Sequence, residues 1–394
     1  MSEDLRIGDE VEITIERVAH GGHCVGRFNG QVVFVRHTLP GEVVVARITK
    51  LAKKLAFADA IEVKKPSTHR IQPVCPIAGE CGGCDWQHSD LTYQREMKSQ
   101  VLREQLVRLG KLDAESPLVV NAKVQSLRPD EAGTGWRTRV EYATDARGRA
   151  GFRKHSSHEV VTVGECAIAL PAITGDGITN VPWLANGEVR AVATSTGDVL
   201  VLPDGAGDDL VHEKVGNYRY ELRARGFWQG HVSAPEVFVQ EVMRLAAPKP
   251  GDHIVDLYAG AGLFSLPLAD AVALNGRLDA VEGDIDAARA LKKNLKKFAQ
   301  GQSYSQDVFS WLRKSGVRKC DVVVLDPPRI GAGKDNVQAI AKLKPSHIVY
   351  VACDPAALAR DIADFAEFGY HPTEISAWDA FPMTGHFETI VRFN

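Results

Sequence analysis

The sequence predicts a multidomain α/β protein: a small N-terminal β-barrel, a central mixed α+β region and a C-terminal parallel sheet flanked by helices. Three observations carry that prediction. Short apolar–polar alternations in residues 1–70 are broken by glycine and proline turns. Cysteines cluster just after them. From about residue 236 apolar strands alternate with helical stretches. A length of 394 residues suits two or three domains of ~100–200 residues each and excludes a single small binding module. No apolar run approaches the ~18–20 residues of a membrane helix, so no membrane partner is expected. The acidic opening Met1-Ser-Glu-Asp-Leu-Arg lacks a basic start and apolar core, which reads as no secretory signal and a cytoplasmic monomer. The net charge of 47 − 50 = −3 argues against a uniformly basic nucleic-acid binder.

The barrel strands are read in Val11-Glu-Ile-Thr-Ile, Gln31-Val-Val-Phe-Val and Glu42-Val-Val-Val, with turns at Asn29-Gly30 and Pro40-Gly41. Between Ile15 and Arg70 stand ten Lys or Arg against four Asp or Glu, a local charge of +6 hidden by the whole-chain balance. Such a surface suits RNA, or merely faces water. A linker at Lys64-Lys-Pro-Ser-Thr leads through the cysteines to a helix from Tyr93 to Leu109, which is free to pack on the C-terminal unit. The central region, within 71–235, carries short strands at Thr138–Ala143, Glu159–Val163, Val189–Ala193 and Val199–Leu202. Its stretch from Gly133 to His158 holds six basic residues against two acids, with Trp136, Tyr142 and Phe152 as candidate base-stacking aromatics or core.

Residues 236–394 read as a cofactor-binding sheet. His253-Ile-Val-Asp-Leu is followed by Tyr258-Ala-Gly260-Ala-Gly262 and a helix, the strand–turn–helix that brings backbone close to a nucleotide-like ligand. Ser265 stands where a third dinucleotide-binding glycine belongs, which disfavours NAD and leaves S-adenosylmethionine. Glu282, twenty residues after Gly262, is placed for ribose hydroxyls, and Asp307 for an adenine contact. With Asp256, Asp326 and Cys353 they mark five successive strand ends at the carboxyl edge, where parallel sheets bind ligands. Cys353 precedes Asp354-Pro355, an N-cap and first helical position, so the helix end is expected to lower the thiol pKa and make a nucleophile. Glu388, in a final strand, reads on residue type alone as an ordinary solvated glutamate.

Cys75-x5-Cys81-Gly-Gly-Cys84 places three thiols within ten residues, and Cys166 is the free candidate for a fourth ligand. Four thiolates suit zinc or an iron–sulfur cluster equally. Cys24 and Cys320 read as core.

Asp326-Pro-Pro-Arg329, Tyr350-Val-Ala-Cys353-Asp-Pro and Thr384-Gly-His-Phe-Glu388 together closely resemble the RNA uracil-5 methyltransferases, over nearly the whole chain. The resemblance implies a Rossmann-like class I methyltransferase sheet in 236–394 and makes Cys353 the nucleophile that adds to C6 of uracil. It makes Glu388 the base that removes the C5 proton, with S-adenosylmethionine as methyl donor. It also implies that Gln229, Tyr258, Gly260, Gly262, Glu282 and Asp326 contact cofactor or site, although Gly230-His231 replaces the Val-Asn usual after that glutamine. The cysteine spacing resembles members holding a [4Fe-4S] cluster on Cys75, Cys81, Cys84 and Cys166. Residues 8–67, with Gly21-Gly22, Gly26, Gly30, Phe34-Val and Leu39-Pro-Gly-Glu, look like an OB-like TRAM barrel that binds RNA. The expected substrate is a 23S rRNA uridine, with tRNA as the runner-up.

Other classes are weaker. Asp-Pro-Pro also occurs in amino-group methyltransferases, which carry an aromatic where Arg329 stands here and need no Cys353. Radical methylthiotransferases combine TRAM domains with iron–sulfur, but at another cysteine spacing. A non-catalytic RNA-binding or RNA-folding protein predicts that Cys353→Ala leaves function intact.

Overall fold

The computed structural model describes residues 5–130 and 132–394; most of the acidic opening, residues 1–4, lies outside them, as does residue 131. Strands β1 (Glu10–Val18), β2 (Cys24–Phe28), β3 (Gln31–Arg36), β4 (Val43–Ala52) and β5 (Leu55–Lys65) close into a barrel in the order β1-β2-β3-β5-β4. Alternation drives closure: Ile13, Ile15, Val33, Val35, Val44, Ala46, Ala56 and Ala58 are all buried inside, and a closed sheet leaves no unpaired edge. Gly26 is required where β1 bulges over β2, because a Cβ there would lie 2.4 Å from the Ile13 side chain and 2.5 Å from the Thr14 carbonyl.

After the cysteine segment come α1 (Leu91–Arg108), α2 (Pro117–Val120) and β6 (Val124–Ser126). Asp90 caps α1 by accepting the Tyr93 N–H at 2.9 Å. Tyr93, Met97, Val101, Leu102 and Leu106 of α1 sit in one continuous core with the barrel interior and one face of the C-terminal sheet. Fully burying such side chains stabilises by roughly 1.5–3 kcal/mol each, so α1 is the main fastener between the two.

The central sheet is antiparallel: β7 (Arg139–Thr144), β8 (Ala150–Arg153) and β9 (Val160–Thr162), then α3 (Pro171–Thr174), β10 (Glu188–Ala193) and β11 (Val199–Pro203), in the order β11-β10-β7-β8-β9. The hairpin β12 (Leu210–Val215) and β13 (Tyr218–Arg223) follows.

The C-terminal unit begins with α4 (Ala234–Ala246) and alternates β14 (His253–Leu257), α5 (Ser265–Val272), β15 (Arg277–Glu282), α6 (Ile285–Leu295), β16 (Gly301–Ser305), α7 (Val308–Lys314), β17 (Val322–Leu325), α8 (Lys334–Ala341), β18 (His347–Ala352) and α9 (Pro355–Ala366), ending in β19 (Pro372–Asp379) and β20 (Glu388–Phe393). The sheet runs β16-β15-β14-β17-β18-β20-β19-β6; β14 to β18 are parallel and β20 is inserted antiparallel between β18 and β19. Both faces are covered, as the near-continuous apolar strands require: Val255, Val323 and Ile348 pack into one core, Ile254, Val322 and Val349 into the other. The order turns back at β14, which opens the crevice between β14 and β17 at their carboxyl ends. β6 extends this sheet beside β19, so residues 91–126 pack on the C-terminal sheet although they precede the central one in the chain.

Candidate active site

The turn after β14 lines the crevice. Tyr258, Gly260 and Gly262 have φ of 60°, 55° and 98°, the left-handed region that strains a side-chain-bearing residue such as tyrosine. At Gly262 a Cβ would also press on Leu266 and Leu291 at 3.0 and 3.1 Å, whereas Gly260 faces open space. Glu282 staples this turn: its carboxylate accepts the Gly260 N–H and the Asp284 N–H, each at 2.7 Å. Tyr258 accepts from Asn336 at 3.2 Å, and burial pushes its phenol up to about 12. Ser265, at the missing third glycine, has a job of its own, since its hydroxyl donates to the buried carboxylate of Asp256.

Two other expected contacts stand differently. Asp307 caps α7 by accepting the Ser310 N–H at 2.9 Å, so helix initiation accounts for its place in the fold. Gln229 is 7% exposed, and its backbone is tied to Thr138, whose hydroxyl donates to the Gln229 and Gly230 carbonyls at 3.3 and 3.1 Å. Among the described residues its side chain makes no hydrogen bond to Tyr258, Glu282 or Asp326.

The register of β18 and β20 brings Cys353 to Glu388. Ala352 pairs with Thr389, so the residues one step beyond, Cys353 and Glu388, open onto the same end of the sheet. Asp326, directly after β17, and Arg329 lie within electrostatic reach of both. Asp354 caps α9 as read, accepting the Ala357 N–H at 2.7 Å. The expected lowering of the Cys353 pKa is overturned: burial, then the charges of Glu388 and Asp326, push the thiol up to about 12, against the opposing pull of Arg329. The sequence displays the helix end but not the acids that strand order folds beside it. Glu388 is 5% exposed rather than solvated, and burial followed by Asp326 raises its carboxyl well above the ordinary value. Asp326 keeps some surface open to the cleft, yet crowding by protein, with Asp256 and Glu282 nearby, raises it to about 7.

Residues outside the sheet hold the loop that leads into Glu388. Met383, at φ 69°, donates its N–H to Gln94 of α1 at 2.9 Å and accepts the Trp86 N–H at 2.9 Å. Lys98, wholly buried, donates to Asp379 at 2.5 Å and to the Phe381 carbonyl at 3.1 Å. Gly385 packs on Gly22 of the barrel so closely that a Cβ would sit 2.7 Å from the Gly22 Cα. From the same hairpin, His20 meets Asp354 at 2.9 Å. Sequence reasoning missed this set; the only signal was polar Gln94 and Lys98 on the apolar face of α1.

Cys75, Cys81, Cys84 and Cys166 line one small cavity with Ile77, Phe152 and Ile168. Gly82 meets the central sheet, its N–H donating to the Arg153 carbonyl at 3.0 Å where a side chain would crowd. The Gly83 N–H reaches the Cys81 sulfur at 3.3 Å. Cys84 packs with Trp136, Ile168 and Met383, so this cavity adjoins the loop to Glu388. Trp136 and Tyr142 are 2% and 1% exposed and belong to core clusters, which removes them as base-stacking residues. Cys24 and Cys320 are buried as read.

A sheet with this order and one reversed strand, with an acidic Asp-Pro-Pro loop at its carboxyl edge, is a class I methyltransferase fold. Residues 4–61 match the TRAM domain family and residues 305–394 the tRNA (Uracil-5-)-methyltransferase family. An uncharacterized RNA methyltransferase of Streptomyces coelicolor is 40% identical, with 98% of this chain and 92% of its own covered. Another, of Streptomyces avermitilis, is 39% identical over 98% of both. The solved structure of the Pyrococcus abyssi tRNA (uracil-54, C5)-methyltransferase in complex with S-adenosyl-L-homocysteine superimposes with a TM-score of 0.73 over 97% of this chain and 99% of its own, at 20% identity, a likeness of fold. The chain belongs to the uracil-5 RNA methyltransferase family, as an RNA methyltransferase that joins a TRAM barrel to its catalytic sheet. No helix among the described residues is long and apolar enough to cross a membrane.

Proposed function

We propose that this enzyme methylates C5 of one uridine in 23S rRNA with S-adenosylmethionine, through a covalent bond between Cys353 and C6 of the base. The observation that carries the reading is the meeting of Cys353, Glu388 and Asp326 at one sheet edge by strand register. C5 of uracil is a poor nucleophile. Addition of the Cys353 thiolate, its proton lost to solvent, to C6 pushes electrons onto C5 and O4, so that C5 would take the methyl group while the broken S–CH3 pair stays on the donor's sulfur; the Glu388 carboxylate then takes the C5 proton, and the thiolate leaves as the double bond re-forms. A glutamate whose proton affinity is raised by burial suits that abstraction. Tyr258, Gly260, Gly262 and Glu282 would hold the cofactor, with Gln229, Asp307 and Asp326 near it. The cofactor supplies the methyl group and a positive sulfonium, whose charge favours ionised Asp326, Glu388 and Cys353.

Cys75, Cys81, Cys84 and Cys166 would hold a [4Fe-4S] cluster. The donor set fits: four cysteines line one cavity and an amide N–H reaches the Cys81 sulfur, while burial raises Cys81, Cys84 and Cys166 against the pull of nearby Arg137. Among the described residues no group of three Cys, His, Asp or Glu is gathered closely enough to hold a metal ion, so the cluster reading rests on the shared cavity and the cysteine spacing. The cluster would tie the segment 75–84 to the central sheet. Support for rRNA is the resemblance of the barrel and cysteine spacing to rRNA enzymes. A tRNA uridine is the second reading, favoured by the name of the Pyrococcus enzyme.

Incubating the enzyme and donor separately with unmodified 23S rRNA and tRNA, then mapping 5-methyluridine, tests the substrate. Cys353→Ala should abolish methylation while RNA affinity stays within about twofold; methylation by that variant would defeat the covalent mechanism.

A further inference from the structure

We propose that Phe34 and Phe57 of the barrel, edged by His23, form a platform on which an unpaired base of the bound RNA stacks, beside the uridine that enters the Cys353 site. The inference rests on the proposed RNA substrate and goes beyond it by naming a second subsite. Phe34 and Phe57 are cross-strand partners on β3 and β5. Their neighbours along each strand, Val33 and Val35, Ala56 and Ala58, are buried inside, so alternation turns both phenylalanines outward. Their rings stack with centroids 5.4 Å apart and planes 24° apart. His23 meets both edge-on, at 6.2 and 5.8 Å. Both rings remain partly exposed and stand outside the hydrophobic cores.

What surrounds them selects the occupant. The Lys50 ammonium lies 5.8 Å from the centre of the Phe57 ring. The His155 ring lies 6.4 Å from His23 and follows Arg153 and Lys154, which pair with Glu188 and Glu159 at 2.7 and 2.5 Å. Aromatic faces among cations are what single-stranded nucleic acid takes: bases stack while phosphates meet the charges. The turn that carries His23 also reaches the catalytic loop. Gly22, beside His23, packs on Gly385, and His20 bonds Asp354 next to the nucleophile. A nucleotide stacked on Phe57 would thus neighbour one turned into the site, as recognition of splayed RNA loops requires.

The test measures affinity of the full-length enzyme for its unmodified RNA, alongside methylation kinetics, for Phe34→Ala, Phe57→Ala and Phe57→Trp. Loss of one base–aromatic stack predicts about 5- to 100-fold weaker binding in either alanine variant, with KM rising in step. kcat at saturating RNA should stay within about twofold, and Trp at 57 should restore affinity. Because stacking carries no charge, the salt dependence of binding should keep its slope. RNA affinity within twofold of the parent in both alanine variants overturns the platform, as does weakened binding that Phe57→Trp fails to rescue. If instead the parent enzyme forms no 5-methyluridine, the functional reading itself fails, which is a distinct result.

Discussion

At the scale of single residues, the site is poised rather than armed. Cys353 sits at a helix end that favours its anion, but two acids and burial outweigh that field and leave the thiol protonated, pushed up to about 12. Alkylation of Cys353 by iodoacetamide, followed by mass spectrometry of its peptide, should therefore be slow at pH 7 and still rising above pH 9. Glu388→Gln removes the acid that weighs most on Cys353 after burial, so Cys353 in that variant should alkylate several-fold faster in the alkaline range where Glu388 is ionised in the parent. Equal rates would mean that Glu388 does not hold the thiol up. Cys353, Asp326 and the glycine turn were legible because each follows an apolar strand in the chain. The balance of forces on Cys353 was not, because Glu388 comes 35 positions later and meets it only through the antiparallel insertion of β20.

Among elements, the loop from Asp379 to Glu388 owes its shape to α1 more than to its own strands. Lys98 is the key contact: wholly buried, paired with Asp379, and within 5.8 Å of the centre of the Trp86 ring. Burial pulls its pKa down and Asp379 resists. Breaking such a pair leaves one charge buried alone, at about 3–5 kcal/mol. Lys98→Met should accordingly lower the unfolding free energy measured in urea by that order and reduce kcat, since the Phe381 carbonyl also loses its donor. The double variant Lys98→Met, Asp379→Leu should regain most of the stability but not the activity. A double variant as unstable as the single would show the pair to be incidental. The helix 93–109 was expected from the sequence, and the structure runs it from Leu91 to Arg108. That its buried face carries a lysine for a partner 281 residues away was not, for local pattern says nothing about which distant carboxylate will close on it. The same limit left Trp136 and Tyr142 open between an RNA surface and core, and the fold turns both rings inward.

For the whole molecule, the acids gathered at the turn-back of the sheet set a conflict between folding and function. Asp256 and Asp326 are each raised to about 7, chiefly by burial, with repulsion from neighbouring acids adding to it. A carboxyl raised in the folded state binds its proton there more tightly than in the unfolded chain. Its contribution is complete below the ordinary aspartate value near 4 and is lost as pH rises through about 7. The enzyme should thus become less stable between about pH 4 and 7 from these two groups, the reverse of the usual carboxylate that is salt-bridged when folded. Asp256→Asn keeps an acceptor for the Ser265 hydroxyl but cannot ionise. Its Tm should match the parent near pH 4.5 and exceed it by a few degrees at pH 8, where the parent holds buried charge. A gap of the same size at both pH values would locate the effect in packing instead. The strain is tolerable because the same negative ends of β14, β15 and β17 await a cationic cofactor. Saturating S-adenosylmethionine should therefore raise the parent's Tm more at pH 8 than at pH 5.5, and more than it raises that of Asp256→Asn.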